Sequence, residues 1–431
     1  MGKKISRRGF FKVAGATALT TAVAGPTLWV RNASAQRKSV SMLVNSHFVP
    51  QFNQELERQS AEWGKARGVD TRVDVIAERD LGAKLASEAE GRTGHDIVVL
   101  RWMEAPVYQA GLVPMDDLVQ ELERGLGAFP EMARYVCRIR GRWASLPWRY
   151  DSGVAAINTE HWGKIGLSAD AVGNLTWDQF IDAAAKLHAN GTPVGVAISE
   201  SFDSTHFCFE LLWSHGAKVA DDKGNITINT KETAAAIEVA KRLYKFMPPD
   251  VLAWDEASNN RAMLAGTCSW SINPPSIWAV AKRDKLPVAD KLDHVSVPAG
   301  PAGRFRTAAP YSLGVWNFSP NVDAAKDLLR YFMQKENFLK QVEASGGYNQ
   351  PYLPGHRGAP IYQREKALRH YEPPKETVHA WGWPAPASSA TGIIISLFII
   401  PTMFSKAVSG EMTTEKAIAW AERQVTRIYR G

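Results

Sequence analysis

Strand and helix signals alternate in the part of the chain that directly follows residue 35. Ser39–Val44 is a short apolar run of β-prone residues, and Pro50–Ala66 carries apolar residues at helical spacing. Thr71–Ile76 alternates as a second strand, Asp80–Ala89 reads as a helix capped by its first residue, and Asp96–Leu100 is a third, buried strand. This order predicts an α/β fold on a parallel sheet, because parallel strands need right-handed crossover connections.

The same alternation restarts after Pro147. Thr176 is followed three residues later by Gln179, the spacing of a capping box, which predicts a helix start at this point. The restart predicts a second α/β unit. Its elements are predicted as strands at Gly153–Asn158, Val194–Ile198, Cys268–Ile272 and Ser312–Trp316, and as helices at Thr230–Phe246, Ser258–Leu264, Asp323–Gln334 and Thr413–Tyr429.

Two stretches break the pattern. Gly347–Pro386 is rich in proline, glycine and aromatic residues, which predicts irregular chain at the surface or between the two units. Gly392–Phe404 is strongly apolar, but it is too short to span a bilayer and Pro401 interrupts it. We therefore predict that it is a buried helix.

The first 35 residues have the composition of an export signal. Ser6–Lys12 contains adjacent arginines followed by two phenylalanines, Val13–Val30 is weakly apolar, and Ala33–Ala35 has small residues suited to signal peptidase. An ordinary secretory leader or a membrane anchor is the alternative, but an anchor needs about 20 consecutive apolar residues. The arrangement resembles a twin-arginine signal, so we expect a periplasmic protein, cleaved after Ala35.

The leader also explains the positive charge of the whole chain. Residues 1–35 hold six basic and no acidic residues, so the balance of 51 basic against 44 acidic becomes 45 against 44 without them. A nearly neutral chain gives no electrostatic reason to expect binding to nucleic acid or to a membrane surface.

Length and cysteine content describe the remaining chain. Without its first 35 residues the chain of 431 keeps 396, which is too long for one ordinary core and predicts two lobes. Cys137, Cys208 and Cys268 lie far apart in the sequence. One disulfide with one leftover thiol is an alternative in an oxidising compartment, whereas buried, inert cysteines are the favoured interpretation.

Four short stretches follow one another in a characteristic order. They are Asp96–Leu100 with Gly111–Leu118, Gly141–Asn158 with its Leu146-Pro147 pair, Met263–Gly266 before Trp270, and Ser409–Ala417. Together they resemble the family 1 extracellular solute-binding proteins, the sugar-binding components of ABC importers, which include the maltose-binding protein. Ile157-Asn158-Thr159 departs from the strand ending that this family usually has.

The resemblance implies a two-lobed periplasmic-binding-protein fold of the class II type, with the ligand in a cleft between lobes joined by three chain crossings. It places the crossings near Leu146–Asp151, Ala308–Tyr311 and Tyr348–Tyr352. One lobe would hold residues 36–147 plus 311–350, and the other 150–308 plus 352–431. The implied partners are a small carbohydrate and the permease subunits of an ABC transporter in the inner membrane. We expect a monomer without cofactor, metal or nucleic acid.

Sugar recognition guides the choice of ligand-binding residues. Sugars combine flat C–H patches with many hydroxyls, so they are bound by aromatic faces, each burying about 150–250 Å², together with fixed polar groups. Ligands of open α/β sheets lie beyond the carboxyl ends of strands. The candidates are His47, Trp102, Trp148, Asp151, His206, Trp270, Asn273, Tyr311, Asn349, Trp381 and Trp383. For each aromatic residue the alternative is simple core packing.

Other functions remain as alternatives. An exported glycan-acting enzyme is disfavoured, because the sequence has no H-E-x-x-H, no G-x-S-x-G and no G-x-G-x-x-G after a strand. The same fold also binds iron, but Tyr348 and Tyr352 do not make a convincing tyrosine pair. Polyamines, polyols and other small solutes stay open, since acids such as Asp151 also suit cations.

Overall fold

The computed structural model describes residues 39–371 and 378–430, and the predicted signal peptide lies outside these ranges. Two sheets and a two-stranded ribbon organise this part of the chain. The strands are β1 (Ser39–Asn45), β2 (Asp70–Ile76), β3 (Ile97–Arg101), β4 (Arg138–Ile139), β5 (Arg142–Trp143), β6 (Leu146–Ser152), β7 (Ala155–Asn158), β8 (Trp270–Ile272), β9 (Leu292–Val295), β10 (Arg306–Val315), β11 (Gln350–Pro351) and β12 (Val378–Ala380).

Helices cover both sheets. The first nine are α1 (Gln51–Arg67), α2 (Glu78–Gly91), α3 (Glu104–Tyr108), α4 (Asp116–Leu126), α5 (Glu131–Cys137), α6 (Thr159–Lys164), α7 (Ala169–Val172), α8 (Trp177–Ala189) and α9 (Phe202–Ser214). They are followed by α10 (Lys231–Tyr244), α11 (Ser258–Leu264), α12 (Ser276–Arg283), α13 (Val322–Phe332), α14 (Lys335–Ala344), α15 (Pro360–Arg364), α16 (Ser389–Ser396), α17 (Ile399–Val408) and α18 (Thr414–Arg430).

The large sheet has the strand order β11-β6-β10-β3-β1-β2. The predicted parallel pairing of the first three strands is confirmed, because β1 lies parallel to both β2 and β3. β10 runs antiparallel to β3 and to β6, and β6 is antiparallel to β11. The sheet is therefore mixed, with its antiparallel half built from chain that returns from far downstream.

β10 is long enough to have different neighbours at its two ends. Its first residues pair with β12, from Arg306 to Ala308, and its last residues pair with β3, from Tyr311 to Val315. The three segments predicted as crossings lie in or around β6, β10 and β11, which are adjacent strands.

The small sheet has the order β8-β7-β9, with antiparallel pairs throughout. The predicted strand Val194–Ile198 is wrong, because this buried segment makes only isolated bonds, such as those from the Gly195 amide to Trp270 and from the Ile198 amide to Val251. Trp254 packs so closely that a Cβ on Gly195 would lie 2.7 Å from its ring. The predicted capping box is confirmed, since Thr176 and Gln179 bond reciprocally at the start of α8.

Two further expectations need correction. The stretch Gly392–Phe404 is not one helix: α16 and α17 are separated at Phe398, whose φ of 50° ends the first helix. Pro401 causes no break, because it lies in the first turn of α17, where its missing N–H costs no hydrogen bond. The described part of residues 347–386 is not wholly irregular, since it contains β11, α15 and β12, and it is not simply surface chain, since Tyr352, Tyr371 and Trp381 are buried.

The cysteines follow the favoured interpretation. Cys137, Cys208 and Cys268 are all buried and none forms a disulfide. Burial raises the pKa of the Cys137 thiol to about 12, so this thiol stays protonated and unreactive.

Candidate ligand-binding site

Polar side chains converge on the adjacent strands β11, β6 and β10. Arg149 and Asp151 lie two residues apart on β6, so they share one face of the strand. Tyr311 on β10 and Asn349 next to β11 lie beside them. All four side chains are buried, which is costly for polar groups unless they are partnered.

Arg149 lies at the centre of this group. Its guanidinium lies 3.7 Å from the ring centroid of Tyr311 and 5.1 Å from that of Phe52. Nη1 donates a hydrogen bond of 2.9 Å to Asn349 Oδ1. Nε is buried and has no partner among the residues that the structure describes. Arg149 therefore presents one unused donor in an aromatic surrounding.

His47 fixes the orientation of the Asn349 amide. The Val49 amide donates to His47 Nδ1 at 3.0 Å, so the ring proton is on Nε2, which donates to Asn349 Oδ1 at 3.2 Å. Burial, reinforced by the charge of Arg149, lowers the pKa of His47 to about 3, which keeps it neutral. With Oδ1 occupied twice, the buried Asn349 Nδ2 is left without a partner in the described part of the chain.

Asp151 offers an unused acceptor. The Tyr348 hydroxyl bonds to its carboxyl group, whereas the buried Oδ1 has no partner within residues 39–371 and 378–430. Burial raises the pKa of Asp151 to about 7, although nearby Arg149 acts in the opposite direction. His206 on α9 brings its Nε2 to 3.9 Å from Oδ1.

An aromatic wall closes the site on one side. Trp102 follows β3 directly and packs against Phe202 with ring centroids 3.8 Å apart, and Trp381 lies 5.6 Å away. Trp381 also contacts His206 at 4.7 Å. Trp102 has a φ of 45°, a conformation that costs energy for a bulky residue and often marks functional positions. Its amide is held by the Pro310 carbonyl at 2.6 Å.

A second buried acid lies on the same side. Asp203 follows Phe202 at the start of α9, and its Oδ2 is unpartnered among the described residues. Burial raises the pKa of Asp203 well above its usual value, and the charges of Glu256 and Asp151 add to this effect. The site is therefore rich in acids that are short of hydrogen-bond donors.

A cavity of about 600 Å³ opens beside Trp102. Its walls come from separate regions of the chain: Arg79–Tyr108, Glu200–Phe202, Glu256 and Gly392–Phe398. Arg101 is fixed at this entrance by Glu104 at 2.7 Å and by Glu78 at 3.0 Å.

Seven of the sequence-predicted residues are brought together by the fold. His47, Asn349 and Tyr311 surround Arg149, and Asp151 and His206 face each other. Trp102 and Trp381 supply the aromatic wall, so the full group is His47, Trp102, Asp151, His206, Tyr311, Asn349 and Trp381.

Four predicted residues lie elsewhere. Trp148 donates its indole N–H to Gln341 in the hydrophobic core, and Trp270 packs on Phe180 with 0 % exposure. These two are core residues because their rings face the helices that cover the sheets. The amide of Asn273 is occupied by Asn260 and Ser276. Trp383 stacks on His379 at 3.6 Å in a separate aromatic cluster with Trp213 and Phe305.

Sequence reasoning missed Arg149, Phe202, Asp203 and Tyr348. A signal for Arg149 was present, since a residue two positions before Asp151 on a strand shares its face. Phe202 and Asp203 start a helix in which every residue from Asp203 to Ser214 is buried. Nothing in their spacing distinguishes them from core residues.

The described ranges contain no group of three or more His, Cys, Asp or Glu side chains arranged to hold a metal ion. One stretch in them, Ser389–Val408, has the length and hydropathy of a membrane span, and most of it is buried inside the protein.

The comparisons with known proteins decide the family. The profile of the family described as bacterial extracellular solute-binding protein matches residues 59–369, most of the chain. This protein is a bacterial extracellular solute-binding protein. The prediction that it serves as the substrate-binding component of an ABC transporter is confirmed at this level.

Individual relatives of this solute-binding protein are distant. A probable ABC transporter-binding protein of Deinococcus radiodurans is 25 % identical over 330 residues, covering 73 % of this chain and 77 % of the relative. An arabinooligosaccharide-binding protein of Halalkalibacterium halodurans is 24 % identical over 251 residues, 56 % of this chain and 54 % of the relative.

Solved structures confirm the two-lobed fold. Maltose-bound T. maritima MalE3 has a TM-score of 0.75 at 19 % identity, over 90 % of this chain and 99 % of that chain. A sugar transporter protein from Arthrobacter chlorophenolicus with bound laminaribiose has a TM-score of 0.77 at 13 % identity, with the same coverage. The solute-binding protein thus has the fold that its sequence predicted, and it belongs to an exported family.

Proposed function

We propose that this solute-binding protein captures a carbohydrate, a sugar or oligosaccharide, between its lobes and delivers it to the permease of an ABC transporter. The observation that carries the proposal is the set of unused hydrogen-bonding atoms around Arg149. Buried polar atoms are nearly always partnered in folded proteins, so a cluster of unpartnered ones suits a polar ligand. A metal or cofactor is not part of the proposal.

The unused atoms are of both kinds. Arg149 Nε and Asn349 Nδ2 are donors, whereas Asp151 Oδ1 and Asp203 Oδ2 are acceptors in the ionised carboxyl groups and can carry a hydrogen when the raised pKa of either acid leaves it protonated. A hydroxyl donates one hydrogen and accepts through its lone pairs, so it satisfies both kinds. A ligand with many hydroxyls therefore fits this mixture better than a cation, which has no lone pair for the two donors.

The aromatic wall supports the same ligand class. Trp102 and Phe202 line the cavity, and Trp381 packs against both rings and against His206 of the polar group. Aromatic rings bury the C–H faces of sugars while the polar side chains bind the hydroxyls. Relatives whose names give maltose, laminaribiose or arabinooligosaccharide as ligand are consistent with this class.

The finer features of the function form part of the proposal. We infer a twin-arginine signal cleaved after Ala35, a periplasmic monomer that does not bind nucleic acid, and lobes formed by residues 36–147 plus 311–350 and 150–308 plus 352–431. The protein binds its ligand without converting it. Release of a modified sugar from a candidate glycan on incubation with the purified protein would contradict this last inference.

A polyamine, a polyol or another small solute is the second candidate. Asp151 and Asp203 are the observation in its favour, because buried carboxyl groups that lack partners among the described residues suit ammonium groups. A cationic ligand would leave Arg149 Nε and Asn349 Nδ2 unpartnered, which is why we favour the carbohydrate.

Thermal unfolding with a ligand panel tests the proposal. The panel holds maltose, laminaribiose, D-tagatose, ribitol, putrescine and an amino-acid mixture. A ligand at 100 times its Kd adds about 2.7 kcal/mol of stability, which raises the Tm by roughly 3 °C for a chain of this size. We expect a saturable rise with a sugar, lost in Trp102→Ala and kept in the control Trp420→Ala on α18. A rise with putrescine alone, and with no sugar, would contradict the carbohydrate.

A further inference from the structure

A chain of hydrogen bonds leads from the interior to His206. Glu210 lies one helical turn after His206 on α9, and both face Thr307 on β10. Glu210 Oε1 accepts from the Thr307 amide at 3.0 Å and from its hydroxyl at 2.7 Å. His206 Nδ1 lies 2.5 Å from the same hydroxyl oxygen. These hydrogen bonds therefore connect α9 to β10, the strand that pairs with both β6 and β3.

The direction of these bonds follows from the number of hydrogens. The Thr307 hydroxyl has one hydrogen, which it donates to Glu210 Oε1. Burial raises the pKa of Glu210 to about 8, but Oε1 already accepts two bonds from Thr307, so a proton on this carboxyl group belongs on the unpartnered Oε2. The Thr307 oxygen therefore accepts from His206 in either state of Glu210, and the ring proton is on Nδ1. Burial lowers the pKa of His206 to about 3, and the ring carries no second proton. His206 Nε2 is left with a lone pair, as a hydrogen-bond acceptor.

The lone pair of Nε2 faces another acceptor. Asp151 Oδ1 is 3.9 Å away, too far for a direct hydrogen bond, and it is buried without a partner in the described ranges. The Tyr348 hydroxyl already donates a hydrogen bond to the same carboxyl group. When the Asp151 carboxyl group, whose pKa is about 7, is ionised, two acceptors at this separation need two donor hydrogens from a third group.

We propose that Thr307 and Glu210 are positioning residues that hold His206 as an acceptor, and that His206 Nε2 and Asp151 Oδ1 together bind two adjacent hydroxyls of the ligand. This inference rests on the proposed function and specifies a vicinal diol as the group recognised. One hydroxyl supplies a single hydrogen, so each acceptor takes a different hydroxyl.

An amino group and a bridging water molecule are the competing sources of two donor hydrogens. The neighbouring donors favour the diol, because Asn349 Nδ2 and Arg149 Nε need lone pairs. Hydroxyl oxygens have such lone pairs, whereas an ammonium nitrogen has none.

The tautomer of His206 provides a test that needs no ligand. Nitrogen-15 NMR of the imidazole groups distinguishes a protonated from an unprotonated ring nitrogen, and the His206→Gln variant assigns the signal. We expect a neutral ring with protonated Nδ1 from about pH 5 to pH 8, a range in which an ordinary histidine titrates. A His206 signal that titrates in this range, or has protonated Nε2, would overturn the positioning role.

Variants separate positioning from general packing. In Thr307→Val the ring loses its acceptor, so the Nε2-protonated form should appear in the spectrum, whereas Thr307→Ser should restore the wild-type signal. Thr205→Val is the matched control, because its hydroxyl bonds only to the Ser201 carbonyl of the same helix. An unchanged His206 signal in Thr307→Val would also overturn the role.

Binding measurements test the diol. D-Glucose and D-glucosamine differ in one hydroxyl replaced by an ammonium group, and ribitol offers adjacent hydroxyls without a ring. We expect the hydroxyl ligands to bind more tightly than glucosamine, and Thr307→Val to weaken them roughly 3- to 30-fold. Tighter binding of glucosamine would replace the diol by an amine. If no sugar or polyol binds, the proposed function and the diol fail together, and the NMR result still decides the role of Thr307.

Discussion

The guanidinium of Arg149 lies 3.7 Å from the ring centroid of Tyr311, on the neighbouring strand of the large sheet. The two residues belong to the first two segments that the sequence predicted to cross between lobes. The contact therefore joins β6 and β10 at the candidate site. Loss of this contact should lower both the free energy of unfolding and the affinity for the ligand.

Arg149→Lys tests this contact. Lysine keeps the charge but loses the planar group that lies over Tyr311 and Phe52. We expect the free energy of unfolding to fall by about 1–3 kcal/mol, measured by urea denaturation. Arg58→Lys is the control, because Arg58 makes ion pairs on the exposed face of α1 and should change stability by less than about 0.5 kcal/mol. Equal effects of the two substitutions would contradict the special role of Arg149.

Asp151→Asn should stabilise the empty protein at neutral pH. Burial raises the pKa of Asp151 from 3.8 to about 7, so ionisation of this carboxyl group is unfavourable in the folded state. The stability that the protonated group provides is present at low pH and is lost as the pH rises towards 7. Removing this penalty should add about 1–4 kcal/mol at about pH 8 and little at about pH 4, read from urea denaturation at both pH values.

Asp96→Asn is the comparison for Asp151→Asn. Asp96 accepts hydrogen bonds from Ser41, Ser319 and Asn321. Here substitution should destabilise the protein by about 1–3 kcal/mol, because it breaks satisfied bonds. Destabilisation by Asp151→Asn at pH 8 would contradict the prediction that the ionised Asp151 carboxyl group destabilises the folded protein.

The pH dependence of stability should also depend on His95. Burial alone would lower the pKa of His95, but its bonds to Glu88 and Asp74 outweigh burial and raise it. The contribution of His95 to the free energy of unfolding is therefore complete below pH 6.5, and it is lost as the pH rises through the raised pKa of His95. Burial opposes ionisation of Glu88, but the bond from His95 and the other bonds lower its pKa to about 2, so its contribution is lost below pH 4.5.

We therefore expect the cluster of Asp74, Glu88 and His95 to stabilise the protein most between pH 4.5 and 6.5. His95→Gln should flatten the decline in Tm above this window, measured by calorimetry at several pH values. His188→Gln, on the exposed face of α8, should leave the profile unchanged. A decline of equal steepness in His95→Gln would show that another group causes it.

Gly153→Ala should disturb the hydrogen-bond chain to His206. A Cβ at this position would lie 2.2 Å from Glu210 Oε1 and 2.4 Å from Thr307 Oγ1, and both side chains are buried. We expect a loss of about 1–3 kcal/mol in unfolding free energy from this overlap. Gly163→Ala in α6 meets nothing within 4 Å and should be neutral or stabilise by up to about 1 kcal/mol. Similar values for the two variants would rule out the close contact.

Sequence reasoning grouped candidate residues correctly where position on a strand decides, and incorrectly where packing decides. Asp151 lies on β6, Tyr311 lies on the neighbouring β10, and Trp102 directly follows β3, so strand topology alone brings these three residues close together. Trp270 also lies on a strand, but its ring faces the core. Sequence spacing does not tell which face of a short buried strand is covered, because every residue of β8 is apolar or small.

The fold itself was predictable for a similar reason. Alternation of strands and helices defined β1 to β3, and the ordered motifs implied the return of the chain. The error at Val194–Ile198 arose because a buried apolar segment need not join a ladder. The split between α16 and α17 depends on the left-handed backbone of Phe398, which no residue pattern indicates.

The double pairing of β10 has a consequence for how this chain is made. Val315 pairs with Ile97, and Arg306 pairs with Val378, so β3 keeps an open edge until a strand from far downstream has been synthesised. Domains of large proteins often fold one after another on the ribosome, but here the first sheet stays unfinished until most of the chain has emerged. An unpaired strand edge invites association with other chains. A nascent chain of this protein is therefore exposed to association through the open edge of β3 until residues 311–315 have been synthesised and have paired with it.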